Sequence, residues 1–300
     1  MNPIWVTCGA AAVTAAAAAC GGYLVRGSTA VPAAAWAVLA ALALGGEAAA
    51  VALGWLTDPP ARSAARLVVV ALGVCPAMSI LGAKRPQHGV WQLIVATLAC
   101  VLSMPAATAV LIRPGSMPEV HLIERCFLPL LVVIGWLNFV ATKRSLAALF
   151  VAVGQISLLW PFLPLAGNGE PLPAGVEAAF TCTLAGGAIL AATQAVWWPA
   201  SIQGARARVP AIDSPMLALR ETLGAAWTLR VIERFNAVAG ERGWPCRLRF
   251  AGLEVDPDAP KERWEADAVR CVRSLLRRFV SSAWIARHGG SWQRPGEGPA

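Results

Sequence analysis

The residue with the clearest chemical potential in this sequence is Glu47, which lies inside a long apolar stretch at Gly45-Gly46-Glu47. An ionised carboxylate at membrane depth costs roughly 2.5–3.5 kcal/mol on insertion scales, so such a residue raises a functional question by default. It could carry a proton or bind a cation between helices. The alternative is a protonated, hydrogen-bonded side chain, or one that borders a wet cleft.

Two amide side chains in other apolar stretches, Asn138 and Gln194, complete a candidate intramembrane polar site with Glu47. Side chains of this type donate interhelical hydrogen bonds more often than they line a substrate path. The sequence predicts no Lys or Arg at the depth of Glu47 to pair with it.

His121 and Glu124 lie one helical turn apart in a polar connection, a spacing that can hold a metal ion. Two ligands without a second pair define no site, and the alternative is an exposed, charged turn at a membrane surface. No metal and no cofactor are expected.

A basic set near the C-terminus lies opposite an apolar stripe and consists of Arg270, Arg273, Arg277 and Arg278. A helix of this kind can lie on an anionic membrane surface. It can also pack its stripe on a neighbouring helix and turn its arginines to water. The expected partners are the lipid bilayer and either anionic lipid headgroups or a cytoplasmic protein. Nucleic acid, which positive charge also attracts, is not expected.

Sequence signatures of catalysis are missing from the chain. It has no Gly-rich phosphate loop, no Gly-x-Ser-x-Gly, no His-Glu-x-x-His and no Cys-x-x-Cys. The eight cysteines are widely spaced and are interpreted as small apolar residues. No catalytic residue is therefore predicted.

Composition divides the chain into two regimes. Hydrophobic residues make up 57% of it and charged residues 14%, against about 45–50% and 25% in soluble domains. Residues 200–300 carry 27 of the 42 charged residues. We therefore expect a transmembrane domain over 1–199, a cytoplasmic domain over 200–288 and a flexible tail over 289–300.

Seven apolar stretches in the first part are each long enough to cross a bilayer, which takes about 20 residues. They are Pro3–Val25, Ala34–Leu56, Leu67–Ala83, Val90–Ile112, Phe127–Ala141, Leu146–Leu165 and Gly175–Trp198. The expected fold is an all-α membrane bundle of seven transmembrane helices, followed by a small cytoplasmic α+β domain that is mostly helical.

The C-terminal pattern predicts two amphipathic helices with a strand between them. One helix begins at Ser214-Pro215 and ends near Gly240, and the strand follows around Arg247–Phe250. The second helix spans about 261–287.

Short connections between the spans predict the orientation. Seven Lys and Arg follow spans one, three, five and seven, namely Arg26, Lys84, Arg85, Lys143, Arg144, Arg206 and Arg208, whereas the other face has Arg62, Arg66, Arg113 and Arg125. Because basic connections stay in the cytoplasm, the N-terminus is predicted outside and the C-terminus in the cytoplasm, in a bacterial inner membrane.

Three functions are compatible with these features. The leading hypothesis is a membrane anchor or scaffold that presents its cytoplasmic domain to the membrane surface or to a protein partner. The alternative is a small-solute or proton-coupled transporter that uses Glu47, with Asn138 and Gln194 as polar lining. The third is a membrane enzyme centred on His121 and Glu124.

Overall fold

The structure is a computed structural model that describes residues 2–82, 84, 88–164, 172–204, 209–256 and 264–288. Side chains at 88, 198–204 and 210 are not described. Several expectations fall outside these residues: the end of the sixth span at Leu165, the start of the last helix at Lys261, the tail 289–300, and the basic residues Arg85, Arg206 and Arg208.

Eight α-helices are described in the N-terminal part of the chain, and a 3-10 turn at Trp160–Phe162 extends the seventh of them. They are α1 (Pro3–Leu24), α2 (Val31–Ala52), α3 (Pro59–Leu81), α4 (His88–Leu102), α5 (Met104–Leu111), α6 (Leu122–Leu137), α7 (Ser145–Leu159) and α8 (Ala174–Gly204). Local sequence sets two of the starts. The Asn2 side chain accepts from the Ile4 N–H at 3.0 Å and Asp58 accepts from the Ala61 N–H at 3.3 Å, each before a proline in the first turn.

Among the described residues, five or six helices are long and apolar enough to cross a membrane, so the expected number of seven is not confirmed. Helices α1, α2, α3 and α8 are long and apolar enough by themselves, and α7 is so together with the 3-10 turn Trp160–Phe162 that extends it to 18 residues. Helices α4 and α5 make a sixth span if the pair is one span bent by 46°. Pro105 lies in the first turn of α5, at that bend. Helix α6 has 16 residues, or about 24 Å against a hydrocarbon core of about 30 Å. The apolar helices indicate an integral membrane protein, and the length of α6 leaves the seventh span unconfirmed.

Six of these helices form a closed ring in the described part of the chain. Each packs on the next in the order α1, α2, α3, α6, α7 and α8, and α8 packs back on α1, while α4 and α5 lie outside against α3. Small residues allow the close approach. A Cβ at Gly187 of α8 would lie 2.9 Å from the Ala147 carbonyl oxygen of α7, and one at Gly154 would lie 2.5 Å from the Leu184 Cβ.

Four helices and one hairpin follow. They are α9 (Pro210–Leu223), α10 (Ala225–Glu241), β1 (Cys246–Arg249), β2 (Gly252–Val255), α11 (Glu265–Leu276) and α12 (Ser282–His288). The strands pair antiparallel with Leu248 opposite Leu253. We call residues 209–288 the C-terminal unit. Its own buried core includes Leu219, Phe235 and Trp284.

Each of the two helices expected in the C-terminal unit is divided in two. The first already begins at Pro210, so Pro215 lies inside α9, and it breaks at Gly224. Gly224 has φ +82° and ψ −168°, a conformation that is essentially restricted to glycine. The second breaks over residues 277–281 because this segment contacts the ring.

The C-terminal unit contacts the ring at three connections on one side. The Thr29 N–H, in the turn between α1 and α2, donates to the Phe279 carbonyl at 2.9 Å. The Trp227 indole N–H donates to the Ile80 carbonyl near the end of α3 at 2.8 Å. Asn138, after α6, contacts the turn between α9 and α10. We call this side of the ring the near face and the opposite side the far face.

The division at Gly224 gives a stability prediction. Gly224→Ala should lower the free energy of unfolding by roughly 3 kcal/mol or more, because the backbone conformation disfavours any side chain and a Cβ would lie 2.3 Å from the Asn138 Nδ2. Thermal unfolding in detergent micelles measures the effect.

Gly243→Ala is the matched control for this change. Gly243 also has a positive φ, +61°, but no atom lies within 4 Å of the added Cβ, so its cost should be only about 1–2 kcal/mol. Equal melting temperatures of the Gly224→Ala and Gly243→Ala variants would mean that Asn138 does not lie against the turn at Gly224.

Candidate functional site

A buried ionic cluster lies inside the ring at Glu47. The Arg66 Nε–H donates to both carboxylate oxygens of Glu47 at 2.8 Å, and its Nη2 donates to the Glu177 Oε1 at 2.5 Å. All three residues are buried. The prediction that Glu47 has no basic partner at its depth was therefore wrong, and Glu177 is a second acid inside an apolar helix.

Helix boundaries explain the error. The third span was predicted to begin at Leu67, which placed Arg66 in a connection, but α3 begins at Pro59 behind its Asp58 cap. Arg66 follows the start of α3 by seven residues and Glu177 follows the start of α8 by three. At 1.5 Å per residue both lie within about two turns of the far face, level with the end of α2. The sequence signal that could have predicted the cluster is that residues of opposite charge lie at similar distances from the same face.

Space beside the cluster opens toward the far face. A cavity of about 250 Å³ is bordered by all three charged residues together with Arg62 and the residues Thr57, Pro59, Ser63, Met117, Pro161 and Phe162. With both carboxylates ionised, Arg62 and Arg66 balance their charge. The two ion pairs of Arg66 thus join α3 to α2 and to α8, and Arg62 beside the same cavity offsets the remaining negative charge, an arrangement suited to holding the three helices together.

Asn138 lies at the near face and fastens the C-terminal unit to α6. Its Nδ2 donates to the Leu223 carbonyl at 3.0 Å, its Oδ1 accepts from the Ala226 N–H at 3.0 Å, and its own carbonyl accepts from the Ala225 N–H at 2.7 Å. It therefore satisfies groups at the end of α9 and the start of α10 that helix geometry leaves unpaired. Asn138 has a structural partner for each of its side-chain polar atoms.

Gln194 also lies at the near face, in α8. Its Nε2 donates to the Lys143 carbonyl at 3.2 Å, and its Oε1 is buried without a partner among the described residues. Gln194 follows Glu177 by 17 residues of one helix, or about 25 Å. The structure thus does not bring Glu47, Asn138 and Gln194 together, and the predicted polar site divides between the two faces.

The four predicted surface arginines are distributed along and beyond α11. Arg270 is exposed and pairs with Asp267, and Arg273 is half-buried. Arg277 and Arg278 follow the helix and are exposed. The next three residues, 279–281, contact the turn between α1 and α2, because the Thr29 N–H donates to the Phe279 carbonyl and the Ser281 N–H donates to the Gly27 carbonyl. Arg277 and Arg278 are therefore beside the near face, whereas Arg270 is about two turns away.

His121 immediately precedes α6 and is exposed, and Glu124 lies in the first turn. Among the described residues, no group of three or more His, Cys, Asp or Glu side chains could hold a metal ion. The pair therefore has no third ligand in that part of the chain.

A second cavity lies in the near half of the ring, with a volume of about 280 Å³. Side chains from all six ring helices line it, most of them alanines, and Thr222 of α9 borders it from the C-terminal unit. Its polar wall residues include Asn138, Arg144 and Gln155. Glu47 is not among the wall residues that the structure describes. The sequence analysis missed this cavity because alanines that face a lumen and alanines that pack look the same in a sequence.

Arg144 is the one basic residue on the described wall of this near cavity. It lies just before α7 and outside the apolar helix, and its side chain is half-buried. Burial lowers the pKa of the Arg144 guanidinium, and the charge of Glu221 opposes the shift. Arginine remains protonated in proteins, so Arg144 is a half-buried cation beside a mostly apolar space.

Comparison with protein-family models, curated proteins and solved structures found no match for the chain. Its class, a helical integral membrane protein, thus rests on the apolar helices, and its activity has to be argued from the geometry.

The ionic cluster gives a second stability prediction. Arg66→Met should destabilise the fold by about 3–5 kcal/mol, because it leaves two buried carboxylates without the one residue that forms ion pairs with them in the described part of the chain. Arg113→Met is the matched control: Arg113 pairs with Glu119 at 3.4 Å, but both are well exposed, so the loss should be within about 1 kcal/mol. The melting temperature in detergent reports both.

Glu47→Gln, measured in the same way, should retain the fold, since Arg66 still pairs with Glu177. If Glu47→Gln unfolds the protein as completely as Arg66→Met, the pairing with Glu177 does not stabilise the ring.

Proposed function

We propose that this protein is a membrane anchor that crosses the bilayer seven times and holds its C-terminal unit in a fixed position on the cytoplasmic face. The observation that carries the proposal is the attachment of that unit to three separate connections of the ring through backbone groups. A flexibly tethered domain needs no such contacts.

The attachment joins the chain at distant points of the sequence. Ser281 N–H donates to the Gly27 carbonyl at 2.6 Å, and Ser28 forms a bridge with Val280. Lys143 N–H donates to the buried Glu221 carboxylate at 3.0 Å. Because backbone atoms supply most of these groups, the contacts fix the orientation of the unit as well as its proximity.

Seven crossings follow if α6 spans the bilayer in spite of its length. Met117, which precedes α6, borders the far cavity, and Asn138, which follows α6, contacts the C-terminal unit at the near face. The helix therefore joins the two faces. A span of 16 residues is accommodated when the bilayer thins locally or flanking residues extend the crossing.

The distribution of basic residues supports a cytoplasmic near face. Arg66 is withdrawn into the ionic cluster, so the basic residues that remain near the far face are Arg62 and Arg125 in the first turns of α3 and α6, and Arg113 in a connection. The near connections have more basic residues by sequence, and connections of this kind remain in the cytoplasm. The N-terminus is then outside, and a bacterial inner membrane fits this arrangement.

Transport through Glu47 has less support. Buried apolar side chains such as Leu44, Leu67 and Leu128 belong to one core cluster beside the ionic cluster. The near cavity, which is mostly apolar, does not have Glu47 on its described wall. A proton or ion path would need polar groups between the two cavities, and the described residues of that layer are largely aliphatic.

The exposed arginines beside the near face give the anchor a surface for a partner. Arg277 and Arg278 would face the headgroups of an anionic leaflet, each contributing on the order of 1 kcal/mol near the surface. A cytoplasmic protein with an acidic surface is the alternative partner. Catalysis at His121 and Glu124 has no observation in its favour.

Attachment is tested by cutting the chain. A protease site inserted between residues 204 and 209, followed by cleavage of the full protein in detergent, should leave the C-terminal fragment bound to a tagged ring. Asn138→Ala should weaken retention by roughly 1–3 kcal/mol, since it removes two side-chain hydrogen bonds and leaves buried groups unpaired.

Gln194→Ala is the control for this measurement, because it removes a near-face hydrogen bond that does not involve the C-terminal unit. Release of the fragment from the unsubstituted protein immediately after cleavage would rule out a fixed attachment.

Orientation is tested by labelling single cysteines. In a background in which all eight native cysteines are replaced, Ser116→Cys should react with an impermeant maleimide in intact cells and Ser291→Cys only after lysis. Ser116 belongs to the far connection between α5 and α6. The reverse pattern would place the C-terminal unit outside.

A further inference from the structure

We propose that the near cavity binds one anionic phospholipid from the surrounding leaflet, with an acyl chain inside the ring and its phosphate at Arg144. This inference goes beyond the anchor function and does not depend on it. It requires only that the ring is embedded in a bilayer.

The walls of the cavity select an apolar occupant. They include Ala17, Ala37, Ala148 and Ala192, with larger side chains such as Val151 at intervals. Apolar cavities hold water poorly and accept hydrocarbon. A volume of about 280 Å³ is close to the lower limit of ligand sites, about 300 Å³. That space suits part of an acyl chain better than a hydrated solute.

Arg144 supplies the charge that an anionic head would need. Glu221, which opposes its pKa shift, already accepts hydrogen bonds from Arg220 at 2.9 Å and from the Lys143 N–H at 3.0 Å. Within the described part of the chain, no acceptor is hydrogen-bonded to the Arg144 guanidinium. A phosphate fits a guanidinium geometrically, and the pairing is strong where solvent is scarce.

A side route connects the cavity to the lipid. A groove of about 370 Å³ with almost entirely apolar walls lies along α6, α7 and the start of α8. The groove and the near cavity share three wall residues, Val132, Trp136 and Ala152. The seam between α6 and α7 is therefore the only described partition between them, and movement of Trp136 would join them.

The seam points to a membrane lipid instead of a water-soluble amphiphile. An acyl chain can enter laterally between α6 and α7 without leaving the hydrocarbon. Arg144 immediately precedes α7, at the depth where the headgroup of the same lipid would lie. A soluble ligand would have to enter past the C-terminal unit, where Thr222 and Asn138 border the cavity.

The test measures lipid that the intact protein retains. Protein purified in mild detergent is mixed with phosphatidylglycerol or phosphatidylcholine, and native mass spectrometry counts the bound lipid. We expect one phosphatidylglycerol per chain and at least about tenfold weaker binding of phosphatidylcholine. Arg144→Gln should weaken phosphatidylglycerol binding about tenfold or more, because it removes a charge-assisted contact. It should weaken phosphatidylcholine binding much less, because the choline cation already offsets the phosphate charge that Arg144 contacts.

Filling the cavity tests the position of the chain. Ala148→Leu places bulk one turn from Arg144 and should abolish retention of both lipids, and Ala192→Val is a milder form of the same test if Ala148→Leu folds poorly. Ala107→Leu adds the same bulk on exposed α5 and Arg113→Gln removes an exposed far-face charge. Both controls should bind lipid as the unsubstituted protein does.

Three outcomes would overturn the proposal. Equal retention of the two lipids would remove the role of Arg144. Unchanged binding in the folded Ala148→Leu and Ala192→Val variants would place the lipid on the outer surface. Retention of a free fatty acid with no phospholipid would show that the site takes a different amphiphile.

Discussion

The apolar character of the ring helices is the constraint on which the rest of this structure depends. In hydrocarbon, each polar group must find its partner inside the protein. The ring meets this demand at its two ends. Ion pairs join α2, α3 and α8 near the far face, and hydrogen bonds from Asn138 and the connections receive the C-terminal unit at the near face. The region between is mostly apolar, and Gln155 within it donates to the Gly73 carbonyl at 2.6 Å.

The two ends use different physics for the same purpose. At the far end, Arg66 forms ion pairs with two carboxylates. These pairs stabilise the ring because separating the charges in a poorly solvated place is costly. At the near end, Asn138 and Trp227 donate to backbone carbonyls, so the position of the C-terminal unit depends on geometry more than on charge.

Single residues show how far the sequence could be interpreted. Glu47 was recognised as unusual because an acid in an apolar helix is costly whatever surrounds it. Its partner Arg66 was missed, because helix ends are the least certain part of such an interpretation and an error of a few residues moves a side chain from a connection into the bundle. Gly224 was invisible as a break, since the apolar spacing on either side continues one helical pattern and only the contact with Asn138 requires a turn there.

The sequence by itself determined that most of the first 200 residues are apolar helices and that charge concentrates after them. These properties follow from composition and from the length of chain needed to cross hydrocarbon, which are local quantities. Only the tertiary structure decided which helices close the ring, that Glu47 meets Arg66 and Glu177, and that an alanine-lined space remains beside Arg144. The sequence does not show which distant helix an alanine, a glycine or a single charged residue will contact. The role of such a residue depends on that helix, and only the packing of the helices decides which one it is.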